Sequence, residues 1–146
     1  MKILLIDDHA LFAKSLSIAL SDSPEIEQFT SVSDPEHLES ILEQAEPDIL
    51  LIDIDLGKST KENGLQLAGR LLQRRPTQKI VILSGYDLPF YRQEAKRIGA
   101  RGFVNKNIEP ECLLRTLLSV QEGATCFPKE HIALENLTAT EKQVLQ

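Results

Sequence analysis

The chain has 146 residues, 42% of them hydrophobic, with 7 Gly, 7 Pro and 2 Cys, which calls for one globular domain with a continuous core. Its 16 Lys and Arg against 22 Asp and Glu give a net charge of −6. Apolar runs such as Ile49–Ile52 are far too short to cross a bilayer, and the composition argues against collagen-like structure and wholesale disorder.

In chain order, Met1-Lys2 leads straight into the apolar run Ile3–Ile6 with no signal-peptide pattern. Cys112 and Cys126 have no framework or metal-ligand spacing. Together these set the expectation of a reducing, cytoplasmic setting. Ile3–Ile6 reads as a strand closed by Asp7-Asp8, and Phe12, Leu16, Ala19 and Leu20 repeat with helical period. Ile26–Val32 is a second strand, followed by a helix carrying Leu38, Ile41, Leu42 and Ala45. Ile49–Asp53 is a third, and after a long polar loop over residues 54–64 comes a helix with Leu65, Leu67, Ala68, Leu71 and Leu72. Ile80–Ser84 precedes a helix through Tyr91, Ala95 and Ile98. Gly102–Val104 precedes one with Leu113, Leu114, Leu117, Leu118 and Val120. Pro24, Pro35, Pro47, Pro76, Pro89 and Pro110 fall at the boundaries. Beyond a domain over residues 1–122, residues 123–136 read as a linker. Thr138 and Glu141 read as the capping box of a new helix, so residues 137–146 are expected to begin a further domain.

Strands alternating with helices predict an α/β fold with helices on both faces of a parallel sheet. Continuous rather than alternating apolar runs fit strands buried on both sides. Connection rules leave a doubly wound five-stranded sheet, (βα)5, in the flavodoxin-like order 2-1-3-4-5. Residues 61–106 carry 10 basic and 3 acidic side chains, a balance that raises nucleic acid as a partner. Arg70, Arg74, Arg75, Arg92, Lys96, Arg97 and Arg101 nevertheless fall on amphipathic segments with no interleaved aromatic residues, and a solvated face is the better reading.

In such a sheet the carboxyl ends of the strands share one edge, where ligands bind. There stand Asp7 and Asp8 after strand 1, Asp53 at the end of strand 3, Ser84-Gly85 after strand 4 and Lys106 after strand 5. Neighbouring carboxylates repel unless a cation neutralises them, and Mg²⁺ is the natural occupant of an oxygen-rich site with room for water. An aspartate, a hydroxyl and an ammonium beside that cation match phosphoryl transfer to Asp53. Ser84 and Lys106 would bind the phosphoryl oxygens, with Gly85 leaving space for the incoming group. Each residue also has an ordinary alternative: Asp8 as a helix N-cap, Asp53 as a strand-end acid, Ser84 as a turn residue, Lys106 as a surface lysine.

With these residues the sequence resembles a receiver (CheY-like) domain of a two-component response regulator. The resemblance covers residues 1–122. It implies Asp53 as phosphoacceptor, Mg²⁺ held by Asp7, Asp8, Asp53 and the backbone carbonyl of Asp55, and phosphate bound by Ser84, Gly85 and Lys106. It further implies Ser84 and Phe103 as the switch pair, with Phe103 repacking inward, and Asp55 and Tyr86 as the positions tuning phosphoryl lifetime. Asp7-Asp8-His9-Ala10-Leu11-Phe12, Gly99-Ala100-Arg101-Gly102-Phe103 and Leu137–Leu145 resemble LuxR-type (NarL/FixJ-like) regulators. The subfamily implies a truncation at the start of a C-terminal helix-turn-helix domain, so that DNA is bound only through the missing part.

A sensor histidine kinase as phosphoryl donor and homodimerisation on activation follow from the same resemblance. Leu11, Leu114 and Leu118 are candidates for the dimer surface, although a core role suits them as well. The sequence departs from the family pattern at Gly57, where proline is common, at Gly64, three residues later than usual, and at Asn107, where proline is frequent. These departures bear on phosphoryl lifetime. Two other readings are a phosphate-independent pseudo-receiver that acts as a binding module, and an aspartate-nucleophile phosphatase built on Asp53-Ile54-Asp55. A redox role for Cys112 and Cys126 is a further idea, against which stands the frequency of inert buried cysteine. Beyond its own phosphorylation and dephosphorylation, the domain is not expected to be an enzyme.

Overall fold

The structure is a computed structural model that describes residues 1–33, 35–56, 62–86 and 88–127. The elements are β1 (Lys2–Ile6), α1 (Ala10–Ser21), β2 (Gln28–Val32), a single 3₁₀ turn (Pro35–His37), α2 (Leu38–Ala45), β3 (Ile49–Asp53), α3 (Gly64–Arg74), β4 (Lys79–Ser84), α4 (Pro89–Ile98), β5 (Gly102–Asn105) and α5 (Pro110–Gln121). The strands form one sheet in the order β2-β1-β3-β4-β5, with every pair parallel. This is the expected topology.

The two-residue period of the strands sorts the core into two layers. Leu4, Ile6, Leu50, Ile52, Ile80 and Ile82 face α2, α3 and α4, where Leu42, Ala68, Leu71 and Ala95 meet them. Ile3, Leu5, Ile49, Leu51, Val81 and Leu83 face α1 and α5, against Leu16, Leu20, Leu113 and Leu117. The inner strands are apolar between their end residues because both of their faces are covered. Among the described residues no helix is long and apolar enough to cross a membrane.

Local chemistry fixes the helix ends. Asn63 caps α3 by accepting from the Gln66 N–H at 2.9 Å, while the Gln66 side chain accepts from the Asn63 N–H at 2.9 Å. This reciprocal pair ends the long loop beside the site. Pro89 opens α4, and Gly99, at φ 95°, closes it in the left-handed region that suits glycine.

Two stretches differ from the sequence expectation. The second strand starts at Gln28 rather than Ile26. Ile26 sits in a turn, its N–H bonded to Ser23 O at 3.1 Å, with its side chain against the α1/α5 layer. Apolarity there serves packing rather than pairing. The stretch expected to begin a linker at residue 123 instead returns to the sheet: Cys126 pairs with Gly102 in parallel. Residues 128–146, which hold the rest of the expected linker and the expected start of a second domain, lie outside the described residues.

Candidate functional site: an acidic pocket at the carboxyl edge of the sheet

Because the strands run parallel, register alone brings their last residues together. Ile6 lies opposite Ile52, Asp53 opposite Leu83 and Ser84 opposite Asn105. The Lys106 N–H extends the last pairing by one bond, to Ser84 O at 2.9 Å. Asp7, Asp53, Ser84 and Lys106 therefore converge, as the sequence predicts.

Asp7 and Asp53 are only 2% and 1% exposed, since Asp7 follows β1 and Asp53 ends β3, strands packed on both sides. The Lys106 ammonium joins them, donating to Asp7 Oδ2 at 3.0 Å and to Asp53 Oδ2 at 3.0 Å. It also stands 4.5 Å from the centre of the Phe12 ring, a cation–π contact. Burial first, and then the charge of Asp7, push the Asp53 carboxyl up to about 6 against the opposing bond from Lys106. Burial opposes the charge on Lys106, but its bonds to Asp53 and Asp7 outweigh this and raise its pKa.

His9 enters the same pocket, a placement sequence reasoning missed. Its N–H and its Nδ1 lie 2.9 and 2.7 Å from Asp7 Oδ1. Nδ1 is also 3.4 Å from Asp8 Oδ1 and 3.3 Å from Asp53 Oδ2. The hydrogen bond with Asp7 raises the imidazole pKa. The signal was its place directly after the acidic pair. His9 also takes the N-cap position of α1, without a side-chain cap bond, so Asp8 is not the cap of that helix.

Ligand atoms of Asp7, Asp8, His9 and Asp53 all lie within 4.8 Å of one another. Asp8 Oδ1 is buried with no hydrogen-bond partner. A buried carboxylate oxygen that makes no hydrogen bond, with His9 Nδ1 3.4 Å away, beside two desolvated carboxylates fits a hard divalent cation with oxygen ligands.

The remaining predicted residues surround a cavity of about 610 Å³ lined by Asp53, Asp55, Ser84, Gly85, Tyr86 and Lys106, among others. The Asp55 N–H donates to Asp53 Oδ1 at 3.3 Å. Ser84 Oγ donates to Tyr86 O at 2.5 Å and accepts from the Tyr86 N–H at 3.0 Å, so its hydroxyl is held within its own turn. A Cβ on Gly85 would meet nothing within 4 Å, consistent with open space there. Tyr86 is 71% exposed, whereas Phe103 is 2% exposed and already packed in the α2/α3/α4 layer. The inward position that the resemblance assigns to the phosphorylated state is thus occupied here, while Ser84 is still engaged with Tyr86.

Gly64 has a role that its spacing alone did not reveal. A Cβ there would lie 2.0 Å from Asp53 O, and its N–H bonds Ile54 O at 2.7 Å. Only glycine lets α3 start against the backbone of the acidic strand. Gly57 lies outside the described residues.

The fold and this edge define an open α/β domain with its ligand site outside the carboxyl ends of the strands. The chain belongs to the response regulator receiver domain family, whose model matches residues 3–118. It is similar to the transcriptional regulatory protein DegU of Brevibacillus brevis, at 32% identity over 130 residues covering 88% of this chain and 54% of that one. To the oxygen regulatory protein NreC of Staphylococcus carnosus (strain TM300) it is 31% identical over 137 residues, covering 93% and 62%. The chain therefore spans little more than half the length of these curated relatives.

In fold it is similar to the non-phosphorylated receiver domain of the stress response regulator RcsB from Escherichia coli. The TM-score is 0.79 at 19% identity, covering 88% of this chain and 98% of that one. A two-component response regulator of the LuxR family from Aurantimonas sp. SI85-9A1 gives a TM-score of 0.76 at 19% identity, covering 86% and 87%.

Proposed function

We propose that this receiver domain is a phosphorylation switch in which Asp53 accepts a phosphoryl group from a sensor histidine kinase. The observation that carries this reading is the sharing of one ammonium, Lys106, by two buried carboxylates, Asp7 and Asp53, at 3.0 Å each. An Asp53 oxygen forms the new P–O bond as the P–N bond of a phosphohistidine breaks, and the departing imidazole nitrogen keeps the electron pair and takes up a proton. Asp7, Asp8, Asp53 and the backbone carbonyl of Asp55 would hold Mg²⁺, which supplies charge neutralisation for the phosphoryl oxygens. Lys106 neutralises a further oxygen, and Ser84 donates to another once its hydroxyl leaves Tyr86.

Departure of that hydroxyl is the event that Phe103 senses, so Ser84 and Phe103 act as the switch pair. Asp55 and Tyr86, at the mouth of the cavity, set how readily water reaches the acyl phosphate. The wider reading follows the LuxR-type relatives. It comprises a cytoplasmic regulator that homodimerises on activation, a linker over residues 123–136 whose first part, residues 124–127, is packed against β5, and a helix-turn-helix domain beginning at residues 137–146, through which alone the intact protein binds DNA. The domain turns over nothing but its own phosphoryl group.

Intact-protein mass after incubation with a small acyl-phosphate donor and Mg²⁺ tests the proposal. A single phosphoryl adduct is expected, absent in Asp53→Asn and absent without Mg²⁺. No adduct with any donor would overturn the switch in favour of a phosphate-independent binding module.

A further inference from the structure

β5 is the last strand of the sheet, and the outward-facing N–H and C=O groups of such an edge invite pairing. Residues 124–127 fill this edge. The Cys126 N–H donates to Arg101 O at 2.8 Å, and the Phe103 N–H donates to Cys126 O at 3.0 Å. Side chains alternate as in a strand: Cys126 packs against the α1/α5 layer and Phe127 against the α2/α3/α4 layer. The Lys96 ammonium of α4 stands 5.3 Å from the centre of the Phe127 ring.

Gly102 eases this approach, for a Cβ there would press on Cys126 O at 3.1 Å and on the Val81 side chain at 3.3 Å. Phe103 and Phe127 also line one groove of about 480 Å³, together with Asn105, Ile108, Thr116 and Cys126. The residue proposed to sense Ser84 is thus bonded through its own backbone to the chain that leads out of the domain.

We propose that residues 124–127 form a docked edge strand that couples the position of Phe103 to the chain beyond residue 127. Docking stands on the contacts above, and its use as a signal rests on the Asp53 reading. A change in Phe103 alters both the amide that holds the strap and the groove wall that Phe127 leans on. Two packed arrangements of this strap are the bistable element such a switch needs.

Amide hydrogen exchange on the full 146-residue chain reads this directly, because the Phe103 and Cys126 amides are bonded only across the strap junction. Both are expected to be protected. Phe127→Ala, Gly102→Ala and Phe103→Leu are each expected to speed exchange at both amides by about tenfold or more, while the Asp7 amide, bonded to Val32 O at the opposite side of the sheet, is unchanged. Unprotected amides in the parent, or variants that leave both rates unchanged, would overturn docking.

After treatment with acyl phosphate and Mg²⁺, a mass-confirmed adduct is expected to change both rates together. An adduct without that change would overturn coupling. If no adduct forms, the Asp53 reading fails, and coupling then stands or falls on whether Phe103→Leu alters the Cys126 rate.

Discussion

Strand β3 and the pocket it ends in bury their residues for opposite reasons. Ile49–Ile52 are fully buried apolar side chains between two helical layers, where removal from water is itself stabilising. One residue further on, Asp53 is equally buried, but its charge opposes burial and is compensated by Lys106 and the backbone of Asp55, with His9 Nδ1 3.3 Å away. The interior is a region of satisfied packing, and the carboxyl edge one of compensated strain. The edge is therefore the region whose balance a change of charge would disturb, whereas the interior is indifferent to it.

Removing the compensation is expected to have the largest effect. Lys106→Met leaves Asp7 and Asp53 facing each other without their shared cation, and urea denaturation of the metal-free protein should show a loss of about 3–5 kcal/mol. Added Mg²⁺ should restore part of it; a loss unaffected by Mg²⁺ would mean that the pocket does not accept the ion. Leu51→Ala probes the interior instead. It should cost about 2–5 kcal/mol by cavity formation, and here Mg²⁺ should make no difference to the change measured.

The pH dependence of the metal-free protein sharpens the same contrast. The folded pKa of Asp53 is raised, from 3.8 to about 6. Its contribution is therefore fully present below 3.8 and is lost as pH rises through about 6. His9, raised above 6.5, contributes below that value and loses its contribution as pH rises through the folded pKa. Thermal unfolding should show stability falling between pH 4 and pH 7, by at most about 3 kcal/mol for Asp53. Asp53→Asn should flatten the lower part of that fall, and an unchanged profile would refute the assignment. Mg²⁺ binding, measured by titration calorimetry, should strengthen over the same range as the proton leaves Asp53.

At the junction of the two regions, Gly64→Ala forces a methyl group against the Asp53 carbonyl and should cost about 1–3 kcal/mol. If denaturation shows no loss, α3 can start without that close approach.

Much of this was legible along the chain. Five apolar runs located the five strands, and parallel topology then required Asp7, Asp53, Ser84 and Lys106 to share an edge. What failed was local: Ile26 reads as strand because apolarity does not distinguish a paired residue from one that packs from a turn. The reciprocal cap of Asn63 and Gln66 was equally local and could have been found from its spacing. The strap at residues 124–127 carried no such signal, since its short apolar pair resembles any helix-to-loop exit.

The amino-acid sequence by itself determined which segments pair and at which end of the sheet the acids emerge, because periodicity and chain order are one-dimensional properties. Only the tertiary structure decided which groups touch: that His9 leans into the acidic pocket, that Ser84 is held by Tyr86 while Phe103 is already inside, and that Cys126 returns to β5. These contacts depend on rotamers and on distances between residues far apart in the chain, which packing sets and order along the chain does not.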